Sequence, residues 1–219
     1  MKKMKAHTAE TQATITPAKA LEILIEGNQR FINNLKINRN LLEQVNETKD
    51  GQFPFAVVLS CIDSRTSAEL IFDQGLGDVF SIRIAGNIIN NDILGSMEFA
   101  CKLAGSKLIV VLGHSKCGAI KGACAGVKIG NLTGLLEKIN PAIVAIENEM
   151  PNTDQTDPEF INAVEKQNVI CMMDTIIKES PVLKELYESG EIGMVGSYYD
   201  VETGEVSFMK AKIEEPVTY

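Results

Sequence analysis

Two short runs, Phe55-Ala56-Val57-Val58-Leu59-Ser60 and Leu108-Ile109-Val110-Val111-Leu112-Gly113, are apolar at successive positions rather than at every second one. Side chains alternate between the two faces of a strand, so strands like these must be covered on both sides. Helical patterns flank each run, and all-apolar strands set between helices mark a parallel sheet enclosed by helices. The expected fold is therefore α/β, a central mostly parallel β-sheet flanked by helices. A chain of 219 residues is long enough for one such domain with a sizeable core.

The flanking pattern supports this. Thr16-Pro17 is an N-cap followed by proline at the first helical position, and Leu21, Leu24, Ile25, Phe31, Ile32 and Leu35 then recur at helical spacing. This predicts an N-terminal helical arm. Residues 1–15 read as a flexible tail and 16–219 as one domain. Asn38 to Gln52 reads as a polar connection. A helix is expected over 67–74 with Gly75 as its C-cap, then a strand over 79–84. A helix ending at Gly105 follows, and another starts near Lys116. Leu132–Met150 and Pro158–Lys178 read as two long helices, the second starting at Asp157-Pro158, and Ser180-Pro181 opens one more. Residues 192–199 and 205–210, joined through Thr203-Gly204, predict a C-terminal hairpin.

Both apolar runs lead straight into chemistry. The first is followed by Cys61-Ile62-Asp63-Ser64-Arg65, the second by His114-Ser115-Lys116-Cys117. Ligands bind at the carboxyl ends of strands in open parallel sheets, so neighbouring strands can unite residues 53 positions apart. His114 and Cys117, three apart, can be aimed at one point by a helical turn. Two thiolates and an imidazole suit zinc, and three protein ligands leave a fourth position open. Asp63 has two options that exclude each other. It can close the site as a fourth ligand, or it can pair with the planar fork of Arg65 and leave the position to water.

Composition narrows the alternatives. A net charge of -8 argues against nucleic acid and anionic membranes as partners. No apolar run approaches the roughly 20 residues of a membrane span, and Lys2, Lys3 and Lys5 precede no apolar segment of a secretory signal. A cytoplasmic location is expected, where cysteines more often bind metal or lie buried than form disulfides. Of five cysteines, Cys101, Cys124 and Cys171 fall in helical apolar patterns and read as core. Of two histidines, His7 lies in the tail, so chemistry in the core has only His114 to work with. A Cys-His nucleophilic pair leaves the second cysteine unexplained. Gly113 and Gly118 have the glycine spacing of a phosphate loop, but Ala119 stands where that loop needs lysine.

These motifs resemble the β-class carbonic anhydrases. Cys61-Ile62-Asp63-Ser64-Arg65 is similar to that family's Cys-x-Asp-Ser-Arg segment, and Gly113-His114-Ser115-Lys116-Cys117-Gly118 to its Gly-His-Ser-x-Cys-Gly segment. Gly27-Asn28-Gln29-Arg30-Phe31 and Arg83-Ile84-Ala85-Gly86-Asn87 resemble further family segments. The resemblance implies one zinc ion per chain on Cys61, His114 and Cys117, with Asp63 and Arg65 as a catalytic dyad. It also implies a substrate pocket lined by Gln52, Phe80, Ala85, Phe99 and Gly118. Phe99 stands where many relatives have tyrosine, and Ala85 where they have a larger aliphatic residue.

The implied reaction is reversible hydration of carbon dioxide to bicarbonate and a proton, by attack of zinc-bound hydroxide oriented by the dyad. Two thiolates make zinc a weaker Lewis acid than imidazoles do, so activity is expected to rise with pH. Without a second core histidine, proton release is expected to pass through water and buffer. Gln52 resembles the plant-like branch, whose resting site is open, and Val58 stands where the other branch has tryptophan. Family members assemble as dimers or larger, with pockets shared between subunits, so a homodimer or a tetramer of dimers is implied. The rival readings are hydrolysis of carbonyl sulfide or carbon disulfide at the same site, a zinc ion that only stabilises the fold, and a thiol redox protein. Structural zinc would not need Asp63, Arg65 or Gln52, and a redox protein would keep labile thiols.

Overall fold

A computed structural model describes residues 5–212. Residues 1–4 of the expected tail and 213–219 of the expected domain lie outside them. Five strands, β1 (Ala56–Ser60), β2 (Val79–Arg83), β3 (Leu108–His114), β4 (Gly193–Tyr199) and β5 (Val206–Lys212), form one sheet in the order β2-β1-β3-β4-β5. The first four are parallel, and β5 turns back against β4 as the expected hairpin.

The unbroken apolar runs are explained by the two cores that they serve. Val57, Leu59, Ile109 and Val111 point into one. Ala56, Val58, Leu108, Val110 and Leu112 point into the other. The second core is roofed by α2 (Pro17–Ile32), through Ala20 and Leu24, and by α4 (Ala68–Ile71). The first is roofed by α5 (Asn91–Glu98), α6 (Gly118–Cys124), α8 (Asn140–Glu149), α9 (Pro158–Glu179) and α10 (Pro181–Glu188). Gly113 and Gly196 let α9 press onto β3 and β4. A β-carbon at Gly113 would stand 2.6 Å from Val169 Cγ2, and one at Gly196 2.9 Å from Val169 Cγ1. No helix among the described residues is long and apolar enough to cross a membrane.

All three cap-and-proline starts form. Thr16 accepts from the Lys19 N–H, Asp157 from Glu159 and Ser180 from Leu183. Elsewhere the structure corrects the expectation. The tail contains α1 (Ala9–Ala13), closed by a Thr8–Thr11 capping box. Buried Gln12 donates at 2.8 Å to the carbonyls of Pro54 and Ala104, and the His7 ring packs edge-on against Phe55. Two carbonyls that need a donor thus tie down a segment whose own composition is polar. The expected connection over 38–52 contains α3 (Leu41–Thr48), started by Asn40 capping the Glu43 N–H. Its Leu41, Leu42 and Val45 are exposed, so no apolar stripe announced it. The single helix expected over 132–150 is split into α7 (Gly130–Leu136), a tight turn over Glu137–Ile139 and α8. Pro141 lacks an N–H and its ring clashes with the carbonyl four residues back, so one helix cannot run through.

The helix expected to reach Gly75 stops at Ile71, because Asp73 takes a left-handed backbone (φ 46°). Its carboxylate is held by Arg30 Nε and Arg39 Nη1, each at 2.6 Å, and by the Ile37 N–H at 3.3 Å. This buried cluster fastens α2 and the segment after it to the body. Burial acts to raise the Asp73 carboxyl, but Arg30 and Arg39 outweigh it and hold it below its usual range. A carboxyl depressed by folding contributes stability above its unfolded value of about 3.9, and the contribution fades as pH falls through the lower folded value. Asp73→Asn should cost about 3–5 kcal/mol at neutral pH. The gap from the parent chain, read by denaturant unfolding, should narrow below about pH 4. A gap that stays constant down to pH 3 would show that the charge is not what holds this cluster.

Candidate metal centre

The topology puts the centre at one crevice. From β1 the chain steps outward to β2, then returns across β1 to lay down β3 on its other side. The reversal opens a crevice at the carboxyl ends of β1 and β3, where open α/β sheets bind ligands. Cys61 is the first residue past β1, and His114 is the last residue of β3. Cys117 sits just before α6. His114 and Cys117 are therefore not on one helical turn. The chain bends between them at Lys116, whose φ is 57°.

The ligand atoms of Cys61, His114 and Cys117 all lie within 4.8 Å of one another, and the three residues are 4%, 1% and 1% exposed. His114 Nδ1 faces the Ser115 carbonyl at 2.9 Å, which makes Nδ1 the protonated nitrogen and leaves Nε2 a free lone pair. That Nε2 is buried and has no hydrogen-bond partner among the described residues. An orphaned imidazole nitrogen facing two sulfurs is what a metal-binding set requires, and two soft sulfurs with one imidazole suit zinc.

The three groups shift one another's ionisation. Cys117 beside it holds the Cys61 thiol down to about 4, against the effect of burial, with help from His114 and the Gly86 N–H. Contact with Cys61 and then burial push Cys117 far up. Burial opposes a charged His114, but the neighbouring Cys61 thiolate prevails and raises it.

Asp63 has taken the second of its two options. Arg65 Nε donates to Oδ1 at 2.8 Å and Nη2 to Oδ2 at 2.7 Å, and the Arg65 N–H also reaches Oδ1 at 3.0 Å. This fork holds the Asp63 carboxyl well below the usual carboxylate range. Arg83 and Thr66 fix the loop beneath. Arg83 donates to the carbonyls of Cys61 (3.1 Å) and Asp63 (2.6 Å), and the Thr66 hydroxyl reaches the same two carbonyls.

Of the remaining expected site residues, the structure brings only two to the centre. Ala85 precedes Gly86, whose N–H donates to Cys61 Sγ at 3.3 Å, and Gly118 follows Cys117. Gln52 is exposed at the amino end of β1, beside Val45, Thr48 and Leu76. Phe80 pairs with Val57, three positions and about 10 Å back from the carboxyl end of β2. Its ring meets Phe99 edge-on, with centroids 6.2 Å apart, in a surface depression that excludes the metal cluster. Sequence reasoning gave no role to Glu165, which is 3% exposed and accepts from the Cys117 N–H at 2.8 Å. A signal was available, since Glu165 is a charged residue on the apolar stripe of Phe160, Val164, Val169 and Met172.

The carbonic anhydrase family model matches residues 56–206. Carbonic anhydrase 2 of Mycobacterium tuberculosis is 34% identical over 194 residues, covering 86% of this chain and 90% of that protein. The carbonic anhydrase of Mycolicibacterium smegmatis is 32% identical over 197 residues, covering 87% and 92%. Among solved structures, the β-carbonic anhydrase CcaA superposes with a TM-score of 0.70 at 27% identity, over 87% of this chain and 95% of that one. One of two tetrameric β-carbonic anhydrases from Sordaria macrospora gives 0.67 at 25%, over 74% and 83%.

A metal in this cluster should shield its sulfurs. On chelation at pH 7, Cys61 should become alkylated, while Cys101, pushed up to about 12 by burial, stays unmodified. Peptide mass mapping with and without chelator measures this. Equal modification of Cys61 in both states would argue against a metal there.

Proposed function

This chain belongs to the β-carbonic anhydrase family, and we propose that it hydrates carbon dioxide reversibly to bicarbonate and a proton with one zinc ion per chain. The observation that carries the reading is the division of labour at the crevice. The ligand atoms of Cys61, His114 and Cys117 lie within 4.8 Å of one another, while both oxygens of Asp63 are paired with Arg65. Zinc held by the three would supply the Lewis acidity that makes water nucleophilic near neutral pH.

The remaining work falls to the chain's own residues. Asp63, kept ionised and oriented by Arg65, offers an acceptor that turns the nucleophile's proton away from the substrate carbon. Arg83 and Thr66 keep the Asp63 backbone from drifting. The pairing of Asp63 with Arg65 supports the open resting site of the plant-like branch. His7, packed against Phe55 at the amino end of β1, is poorly placed to relay a proton, which supports release through water and buffer.

A second copy of the chain would complete the pocket. Gln52, Phe80 and Phe99 lie away from the cluster within one protomer, and exposed Val45 and Leu76 lie beside Gln52. The Sordaria macrospora relatives are tetrameric, which supports assembly as a homodimer or a tetramer of dimers. All five cysteines are free, which favours a reducing, cytoplasmic setting.

Stopped-flow measurement of carbon dioxide hydration, on protein of known zinc content, tests the proposal. The parent chain should turn over faster as pH rises and as buffer concentration increases. Asp63→Ala should retain zinc and lose about 10²-fold or more in kcat. Full zinc with no hydration at any pH would overturn the reading and leave the linear sulfur analogues or a structural metal. Unchanged kcat in Asp63→Ala would remove the dyad from the mechanism.

A further inference from the structure

One face of α9 touches the chain beside each of the three metal-ligand candidates. Glu165, Asn168 and Val169 stand at i, i+3 and i+4, hence on one side of the helix. Val169 fills the space above Gly113, next to His114. Glu165 Oε1 accepts from the Cys117 N–H at 2.8 Å, and Oε2 accepts from the Tyr198 hydroxyl at 2.6 Å. Tyr198 is itself held by Asn162 Nδ2 at 2.9 Å. Asn168 Nδ2 donates to the Gly86 carbonyl at 2.9 Å, and the N–H of the same Gly86 donates to Cys61 Sγ.

Stability does not explain these polar groups. Asn168 is wholly buried, and its Oδ1 has no partner among the described residues. An unsatisfied buried oxygen is costly, and an apolar side chain of similar size would avoid that cost. Glu165 is 3% exposed and shares this largely apolar face, its two oxygens taken up by the Cys117 N–H and the Tyr198 hydroxyl. Gly86 needs an anchor, because its left-handed backbone (φ 68°) lies in a short loop and its N–H is the donor aimed at the Cys61 sulfur. A donor at a ligating sulfur withdraws electron density from it and leaves the metal a stronger Lewis acid.

We infer that Glu165 and Asn168 are positioning residues, which fix the two cysteine ligands from behind through the Cys117 N–H and through Gly86. The inference rests on the reading of Cys61, His114 and Cys117 as a metal site. It assigns α9 a role in metal retention and sulfur basicity, beyond the ligands and the dyad.

The test uses the full chain loaded with zinc or with cobalt(II). Zinc release to a chromophoric chelator gives the retention rate, and the thiolate-to-cobalt absorption band reports the sulfurs directly. Asn168→Ala removes the Gly86 anchor. Glu165→Met keeps the side-chain length and removes both acceptor oxygens, so it keeps the test informative if the first variant folds poorly. Val164→Ala removes packing from the same helix with no polar contact. Both polar variants should release zinc about 10–100-fold faster, and Asn168→Ala should move the band to lower energy as Cys61 loses its donor. Val164→Ala should lower the melting temperature and leave release and band unchanged. Parental release and band in both polar variants would overturn the inference, as would a Val164→Ala effect of the same size. A parent chain with no thiolate-to-cobalt band would overturn the metal reading itself and the inference with it.

Discussion

The structure turns on two sulfurs and an imidazole gathered in an apolar interior, a donor set suited to a divalent cation. Two sulfurs and an imidazole nitrogen meet within 4.8 Å at the carboxyl ends of the two most deeply buried strands, all nearly sealed from water. Contact between the two sulfurs holds the Cys61 thiol down and pushes Cys117 up. A divalent cation held there would stabilise both thiolates and take the lone pair of His114 Nε2. The surroundings serve this end. The reversal of strand order at β1 makes the crevice between the parallel strands β1 and β3, the bend at Lys116 turns Cys117 back toward His114, and Gly113 lets α9 close over the strand behind them.

Electrostatics at the rim divide the acids by task. Asp63, half-buried at the crevice, is occupied by Arg65 and kept ionised. Glu165, behind the cluster, is raised by burial and engages the Cys117 N–H and Tyr198 instead of solvent. Asp73, far from the centre, anchors the N-terminal arm through Arg30 and Arg39. The same functional group, in three environments, pairs with an arginine at the crevice, accepts from the Cys117 N–H and pins a helix.

What could be read from the sequence was what local chemistry dictates. The all-apolar runs required a covered parallel sheet. Cap-and-proline pairs marked three helix starts, and the soft ligand types pointed to three residues that the fold does bring together. What escaped depended on partners distant along the chain. Gln12 binds the carbonyls of Pro54 and Ala104, so a polar tail is docked. Asp73 breaks its helix to meet arginines more than 30 residues earlier. Glu165 and Asn168 looked like polar interruptions of an apolar helix until the loops that they hold were in place. The pocket residues Gln52, Phe80 and Phe99 came from the family resemblance alone, and within one protomer the fold keeps them away from the metal cluster.

X-ray absorption at the zinc K-edge on the purified protein tests the central claim most directly. The account predicts two sulfur scatterers at about 2.3 Å and two nitrogen or oxygen scatterers at about 2.0–2.1 Å. The sulfur shell should disappear in a Cys61→Ser, Cys117→Ser double variant. Four sulfurs, no sulfur, or a shell of oxygens alone would contradict it.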